Sequence, residues 1–411
     1  MESKPAFVSD AKIASKGPGA LLNMHLTLDR FLNLALHADH GPHLSSSERA
    51  LSNSVRENPV RRETLNSTRG DEYMKKFLMT VAVGAAFAVA AGAASAQTLN
   101  QVKQRGALQC GANTGLAGFG QPDAQGNWTG LDVDFCRAIA AAIFNDPTKV
   151  KFAPLSAKDR FTALQSGEVD VLVRNTTWTM SRDTSLGLEF AAVNYYDGQG
   201  FMVRKKLKVN SALELSGASV CSQQGTTTEL NLADFFRANK LKYEPVIFAT
   251  SDETIKAYDA GRCDVFTTDA SGLYAERLKL SNPDDHMVLP DIISKEPLGP
   301  SVRHGDNQWN DIVKWVHYAM LNAEELGVTK ANVDEQMKSA NPEIKRLLGV
   351  EGQFGEAIGL TNDWVYRIIK HVGNYGESFE RNVGQGSRLK IARGTNALWN
   401  KGGLQYAPPI R

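Results

Sequence analysis

A guanidinium and a carboxylate, Arg182 and Asp269, each follow one copy of a motif that the chain carries twice. The copies read ALQSGEVDV at residues 163–171 and AYDAGRCDV at residues 257–265. Each reads as a helix end, a glycine suited to the left-handed cap conformation, and a buried strand. The first strand runs on into Asn175, Thr176 and Thr177 and then to Arg182, and the second into Thr267, Thr268 and Asp269. Ligands of open α/β sheets bind beyond the carboxyl ends of strands, so the two polar endings are expected to face each other across a cleft. A planar, forked cation matches a carboxylate and a buried carboxylate matches an ammonium, so the pair would hold a small dipolar molecule. Each residue also has a plainer reading. Arg182, next to Asp183, reads as a solvated surface charge, and Asp269 as the N-cap of a helical segment over residues 270–280.

The elements that must position these groups follow from periodicity. From Gln97 onward, short apolar runs alternate with helical patterns, the signature of α/β architecture with mostly parallel sheets. Residues 107–110 read as a first strand. Leu131, Phe135, Ile139, Ala142 and Ile143 then recur at helical spacing, with Asp132 and Asp134 in the first turn where the helix dipole favours negative charge. The duplicated motif predicts two similar lobes, each a mostly parallel sheet flanked by helices, joined by two hinge crossings near residues 200–204 and 297–303. The first lobe is then discontinuous, residues 97–202 and 302–411, and the second spans 203–301. A late amphipathic helix carries Val365, Ile368, Ile369 and Val372 on one face, begins at Asn362 or Asp363 and stops at Gly373.

Composition narrows the function. In 411 residues, 46 Lys and Arg against 45 Asp and Glu leave no net field to draw nucleic acid or anionic lipid, and a small ligand fits better. No P-loop, HExxH, GxSxG or dinucleotide fingerprint is present beyond residue 96, and the glycines between Gly115 and Gly120 have the wrong spacing for a dinucleotide turn. No cofactor or metal is expected; the histidines at 40 and 43 are too few to be a metal site. Residues 74–96 give a basic start, an uncharged apolar run and a small-residue Ala94-Ser95-Ala96 terminus, which reads as a cleaved secretory signal. Residues 1–73, ahead of it, read as an extension upstream of the true start at Met74, largely disordered if made. Cys110, Cys136, Cys221 and Cys263 all lie beyond the cleavage point, in a compartment that permits disulfides. Of three possible connectivities, Cys110–Cys136 with Cys221–Cys263 keeps each bridge inside one lobe; the alternative is two buried thiols per lobe.

Residues 130–140 (GLDVDFCRAIA) look like the signature segment of the polar-amino-acid class of periplasmic solute-binding proteins, and the chain resembles that family from about Leu99 onward. Residues 224–232, 261–269, 393–396 and 402–409 resemble its broad-range amino-acid members. The resemblance implies the two-lobed periplasmic binding protein fold and a receptor that closes on a free L-amino acid, catalyses nothing, and delivers its ligand to an inner-membrane ABC permease as a monomer. It places Arg182 as the clamp of the α-carboxylate, assisted by Thr177 and Thr227, and Asp269 as the partner of the α-ammonium, with the Asn175 carbonyl and Thr177 hydroxyl completing the cage; Thr226 is a further ligand-binding residue. Arg160 falls where relatives read the ligand side chain, and an arginine there favours Glu, Asp and their amides; its plainer reading is a solvent-facing charge at a helix start. Where the family sets an aromatic ring over the ligand this chain has Leu116, with Phe119 and Trp178 as possible replacements or core residues. An enzyme on the same fold, a periplasmic prephenate or arogenate dehydratase, is the alternative, and would need a general acid in the cleft.

Overall fold

The computed structural model describes residues 98–411, so the expected signal segment and the extension before it lie outside the described residues. Two five-stranded sheets organise the described residues. In the first, Leu108–Asn113 pairs in parallel with Val150–Leu155 on one side and Val171–Leu172 on the other, and Ser301–Arg303 and then Leu188–Phe190 complete the sheet. In the second, Ala218–Gln223 pairs in parallel with Tyr243–Phe248 and Val265–Asp269, followed by Gln199–Arg204 and His286–Val288. Both sheets therefore share one spatial order. In each, the fourth strand arrives from the other lobe and runs antiparallel to its neighbours.

Burial explains why these runs are strands. Leu108, Cys110 and Ala112 on one face of the first strand are inaccessible, and Gly111 and Asn113 on the other are buried as well, as expected for a parallel strand covered on both sides. Helix Leu131–Phe144 lies on the first sheet, with Phe135, Ile139 and Ala142 joining Leu108, Ile312, Val316, Val365 and Ile368 in one core. It ends at Asn145, whose φ of 56° is the left-handed cap conformation. In the second lobe the alternation of a sheet is explicit. Phe201 and Val203 pack with Val220, Phe236 and Val265 on one face, and Met202 packs with Cys221, Tyr258 and Phe266 on the other.

The cysteines pair as Cys110–Cys136, joining the first strand to the first helix, and Cys221–Cys263, joining two neighbouring strand segments of the second lobe. Helix Trp364–His371 starts at Asp363, buries Val365, Ile368 and Ile369, and is followed by Gly373 at φ 96°.

A two-stranded ribbon, Tyr195–Asp197 against Glu296–Leu298, joins the lobes. Gln199–Arg204 pairs along its whole length with Val265–Asp269, so a division after residue 202 cuts through a strand of the second sheet; the crossing is the ribbon that precedes it. On the return, Gly299 donates its N–H to the Thr176 carbonyl at 3.0 Å. A Cβ at Gly299 would stand 2.0 Å from the Ala192 carbonyl oxygen, so no other residue fits without moving backbone.

Candidate functional site

Both motif copies turn as the glycines require, with Gly167 at φ 80° and Gly261 at φ 81°. Beyond the first copy the chain leaves the sheet at Asn175, itself at φ 33°. Asp132 holds this bend: it accepts the Asn175 N–H at 2.8 Å and the Asn194 amide at 3.1 Å. Asn113 donates to the Asn175 side-chain oxygen at 2.9 Å. Burial pushes the Asp132 carboxyl up to about 6, against those hydrogen bonds and the nearby Arg174 charge. Asp132 thus does more than favour a helix dipole; it fixes the loop that carries the candidate ligands. The next residues run along the hinge ribbon, where Thr177 bridges to Leu298 and the Trp178 N–H donates to the Pro297 carbonyl at 2.8 Å.

Six of the seven residues singled out in the sequence, Arg160, Asn175, Thr177, Thr226, Thr227 and Asp269, line one partly open cavity of about 40 Å³ between the lobes. Arg160 is 3% exposed, which overturns its reading as a solvated helix-start charge. Its guanidinium lies 4.7 Å from the centre of the Phe161 ring and donates weakly to Thr176 Oγ1 at 3.4 Å, while Nε has no hydrogen-bond partner. Arg182 is the exception. It is buried, not a surface charge, but it is not among the residues lining the cavity; its Nη1 donates to the Thr177 carbonyl at 2.9 Å and its guanidinium faces the same Phe161 ring at 5.1 Å. Thr179 caps helix Met180–Ser185 by accepting the Arg182 N–H.

Asp269 stands at the N-cap position of helix Ala270–Arg277, yet its side chain makes no capping hydrogen bond. Asp269 is 7% exposed and lines the cavity. Burial first, then the Asp197 and Glu296 carboxylates, push its pKa well above the usual carboxylate range, and Arg160 and Arg182 oppose them. A desolvated carboxylate so placed is complementary to a cation. Across from it, Thr226 opens the 12-residue helix Thr227–Ala238, but its hydroxyl donates to the Gln223 carbonyl at 2.8 Å and does not cap. The first turn of that helix, at the cavity wall, therefore keeps its donors for an anion.

Three further groups of the site escaped the sequence reading. Arg174 lines the cavity at 3% exposure, its pKa lowered to about 10 chiefly by burial. Glu276, 1% exposed, lines the opposite side and is ion-paired to Lys279. Glu296, on the hinge ribbon, accepts from Thr177 Oγ1 at 2.6 Å and Thr227 Oγ1 at 2.9 Å through one oxygen, and from Asn231 at 2.7 Å and Ser294 at 2.7 Å through the other. Its sequence signal is weak: an acid one residue before the Pro297-Leu298-Gly299 crossing. Leu116 borders the cavity, whereas Phe119 and Trp178 do not. Phe119 is core, edge-on to Tyr195 at 5.1 Å, and Trp178 stacks on Phe190 at 5.4 Å. No aromatic ring lines this cavity.

A guanidinium cluster facing a buried carboxylate across two hinged α/β lobes invites comparison with known proteins. The model of bacterial extracellular solute-binding proteins, family 3, matches residues 108–331. The chain belongs to this family. Among curated relatives of this family 3 protein, the general L-amino acid-binding periplasmic protein of Rhizobium johnstonii is 67% identical over 341 residues, 82% of this chain and all of the relative. The glutamate/glutamine/aspartate/asparagine-binding protein of Rhodobacter capsulatus is 59% identical over the same shares of each chain. Among solved structures, a periplasmic binding protein of Brucella ovis with glutathione bound is 66% identical with a TM-score of 0.76, over 77% of this chain and all of that one. The two-lobed α/β architecture is thus the family's, and the candidate site of this member lies where its lobes meet.

Proposed function

We propose that this chain is the periplasmic ligand-capturing component of an ABC importer for L-amino acids, and that it closes on a free amino acid at the interlobe cavity and hands it to the permease. The relatives named for amino-acid binding support that ligand class. One observation carries the reading: Asp269, a buried carboxylate without a capping bond, lines the same cavity as the Arg160 and Arg174 guanidiniums and the uncapped start of helix Thr227–Ala238. That arrangement fits both charges of an α-amino acid. The α-ammonium pairs with Asp269, assisted by the Asn175 carbonyl, and the α-carboxylate takes the arginines and the helix start near Thr226 and Thr227. Thr177 Oγ1 donates to Glu296, so toward a ligand it acts as an acceptor. Arg182 supports the loop through the Thr177 carbonyl, and its charge opposes the raised pKa of Asp269.

Side-chain breadth follows from the cavity's mixed lining, Arg160 and Arg174 on one side and Glu276 on the other. A buried arginine favours acidic and amide side chains, which matches the ligand set named for the Rhodobacter capsulatus relative. We further propose that residues 74–96 direct secretion and are removed.

Calorimetric titration of the protein starting at Gln97, unfolded and refolded to strip endogenous ligand, against the twenty L-amino acids and selected D-enantiomers tests the reading. The expected result is L-selective binding of several polar amino acids, lost by a hundredfold or more in Asp269→Ala, since stranding a buried charge costs about 3–5 kcal/mol. Unchanged affinity in Asp269→Ala, or binding of amines that lack a carboxylate as tight as that of amino acids, would overturn it.

A further inference from the structure

We propose that the first lobe carries a second binding site, beside the hinge ribbon and separate from the amino-acid cavity, that takes small organic ammonium ions lacking a carboxylate. The site is a cavity of about 400 Å³ that shares no lining residue with the interlobe cavity. A volume of that size accommodates a small molecule. Its walls are strand Leu188–Phe190 with the residues that follow it, one face of helix Asn307–Glu325, and the C-terminal segment at Gln405 and Tyr406. The helix contributes Asn310, Lys314 and Tyr318, each four residues after the last and so on one side.

The two cavities differ in kind. No aromatic ring lines the amino-acid cavity, whereas Trp178, Phe190, Tyr196, Tyr318 and Tyr406 all border this one. Trp178 stacks on Phe190 with ring centres 5.4 Å apart and is still 36% exposed, so the indole keeps a face for a ligand. Ring faces carry the negative part of the aromatic quadrupole and attract a cation, indole most strongly. Tyr196 belongs to the hinge ribbon, where it stands opposite Pro297, and the Trp178 N–H donates to the Pro297 carbonyl at 2.8 Å. Both rings are therefore set by ordered backbone, and a ligand need not order them.

Charge points the same way. Asp183 and Glu189 border the cavity, half-buried, and neither has an ion pair among the described residues. One Glu189 oxygen accepts the Asn310 amide at 2.6 Å and the other accepts no hydrogen bond; the Asp183 carboxylate receives only the Phe190 N–H at 3.4 Å. Asn310 is 3% exposed, and its Oδ1 has no hydrogen-bond partner, so the wall holds a buried acceptor beside the two carboxylates. Lys314 is the only lysine or arginine among the described residues lining the cavity, and it is paired with Asp311 at 3.2 Å. Burial keeps His317 neutral, its pKa lowered to about 4. No free cation is left for a carboxylate, and a zwitterion would set its own against Asp183 and Glu189. An ammonium at the Glu189–Asn310 pair, with its apolar body against Trp178, uses acids, acceptor and rings together.

The test is calorimetric titration of phenethylammonium, with phenethyl alcohol as its neutral counterpart, into the wild type, an Asp183→Asn/Glu189→Gln double variant, Trp178→Leu and Asp269→Ala. The expected result is that the wild type and Asp269→Ala bind the ammonium alike and more tightly than the alcohol. The double variant, which keeps the shape and removes the charge, should lose roughly tenfold or more in ammonium affinity. Should that variant fail to fold, Trp178→Leu decides instead: it leaves both carboxylates in place and should lose roughly threefold or more. A wild type that does not bind the ammonium, an alcohol bound as tightly as the ammonium, or wild-type ammonium affinity in the folded double variant would overturn the site. So would a loss confined to Asp269→Ala, which would put the cation in the interlobe cavity.

Discussion

Glu296 and Asp197 stand directly opposite each other in the antiparallel ribbon that joins the lobes. Like charges so placed repel, and the site offsets this unequally. Glu296 collects donors from both lobes, Thr177 from the first and Thr227 and Asn231 from the second. The Asp197 carboxyl accepts from Ser271 and the Gly198 N–H, and is still pushed up to about 6, by burial first and with the Glu296 charge adding to it. The hinge is therefore pinned by one carboxylate at the point where both halves of the site touch it.

Glu296→Ala should lower ligand affinity by more than tenfold, because it leaves buried hydroxyl and amide donors unpaired at about 1–3 kcal/mol each. Glu296→Gln, which keeps the shape, should lose less. Calorimetric affinities for the pair check this; an alanine variant that binds like the wild type would show that the hinge carboxylate has no part in closure.

Binding should weaken on acidification. Asp269 must be ionised to pair with an ammonium, and burial together with the Asp197 and Glu296 charges holds its pKa well above the ordinary value. As pH falls through that raised value the carboxyl protonates, and affinity drops by about tenfold per pH unit for one linked proton. Titrations in buffers of different ionisation enthalpy read the proton directly. Affinity independent of pH, with no proton uptake or release, would contradict the pairing.

Two buried groups should give stability opposite pH dependences. Burial lowers the His317 pKa from 6.5 to about 4. With a folded value below the unfolded one, its contribution is whole above the unfolded pKa and is lost as pH falls through that window, about 3 kcal/mol in all. Asp132 is raised from 3.8 to about 6. Its contribution is whole below the unfolded pKa and is lost, by a similar amount of about 3 kcal/mol, as pH rises to the folded value. Relative to the wild type, His317→Gln should gain stability as pH falls and Asp132→Asn as pH rises. Urea unfolding across this range checks both slopes, and parallel curves for variant and parent would refute the assignment.

Removing either disulfide should destabilise the fold by several kcal/mol. The bridges close loops of 26 and 42 residues. Loop-closure entropy assigns these about 3.5 and about 4 kcal/mol. The Cys221→Ser/Cys263→Ser variant should lose stability in the second lobe first, and hydrogen exchange over Ala218–Gln223 and Val265–Asp269 would locate the loss. Protection there equal to that of the oxidised protein would rule it out.

Much of this was legible in the sequence wherever a local pattern has one structural solution. Gly167 and Gly261 announced left-handed turns between helix and strand, and the repeat around them announced two lobes with polar strand endings. The cysteine positions allowed pairing within each lobe. What local pattern cannot show is how a side chain leaves its own element. Arg182 beside Asp183 and Arg160 at a helix start each had a solvated reading as well as a ligand-binding one; only the fold shows Arg182 folded back on the Thr177 carbonyl and Arg160 at the cavity. Glu296 and Arg174 escaped because their meaning lies in contacts to segments far along the chain, Thr227 and Asn231 for one and the Leu155 carbonyl for the other.

The C-terminal segment reaches back to the ribbon through Asn396, which accepts the Tyr196 N–H at 2.7 Å and donates to the Tyr196 carbonyl at 3.0 Å. One amide side chain thus imitates a neighbouring strand for a single residue. Without it, the outer rim of the axle about which the halves swing would offer unsatisfied main-chain groups to any passing polypeptide, so the tail doubles as a guard against mispairing and as a splint that limits how far that axle can bend.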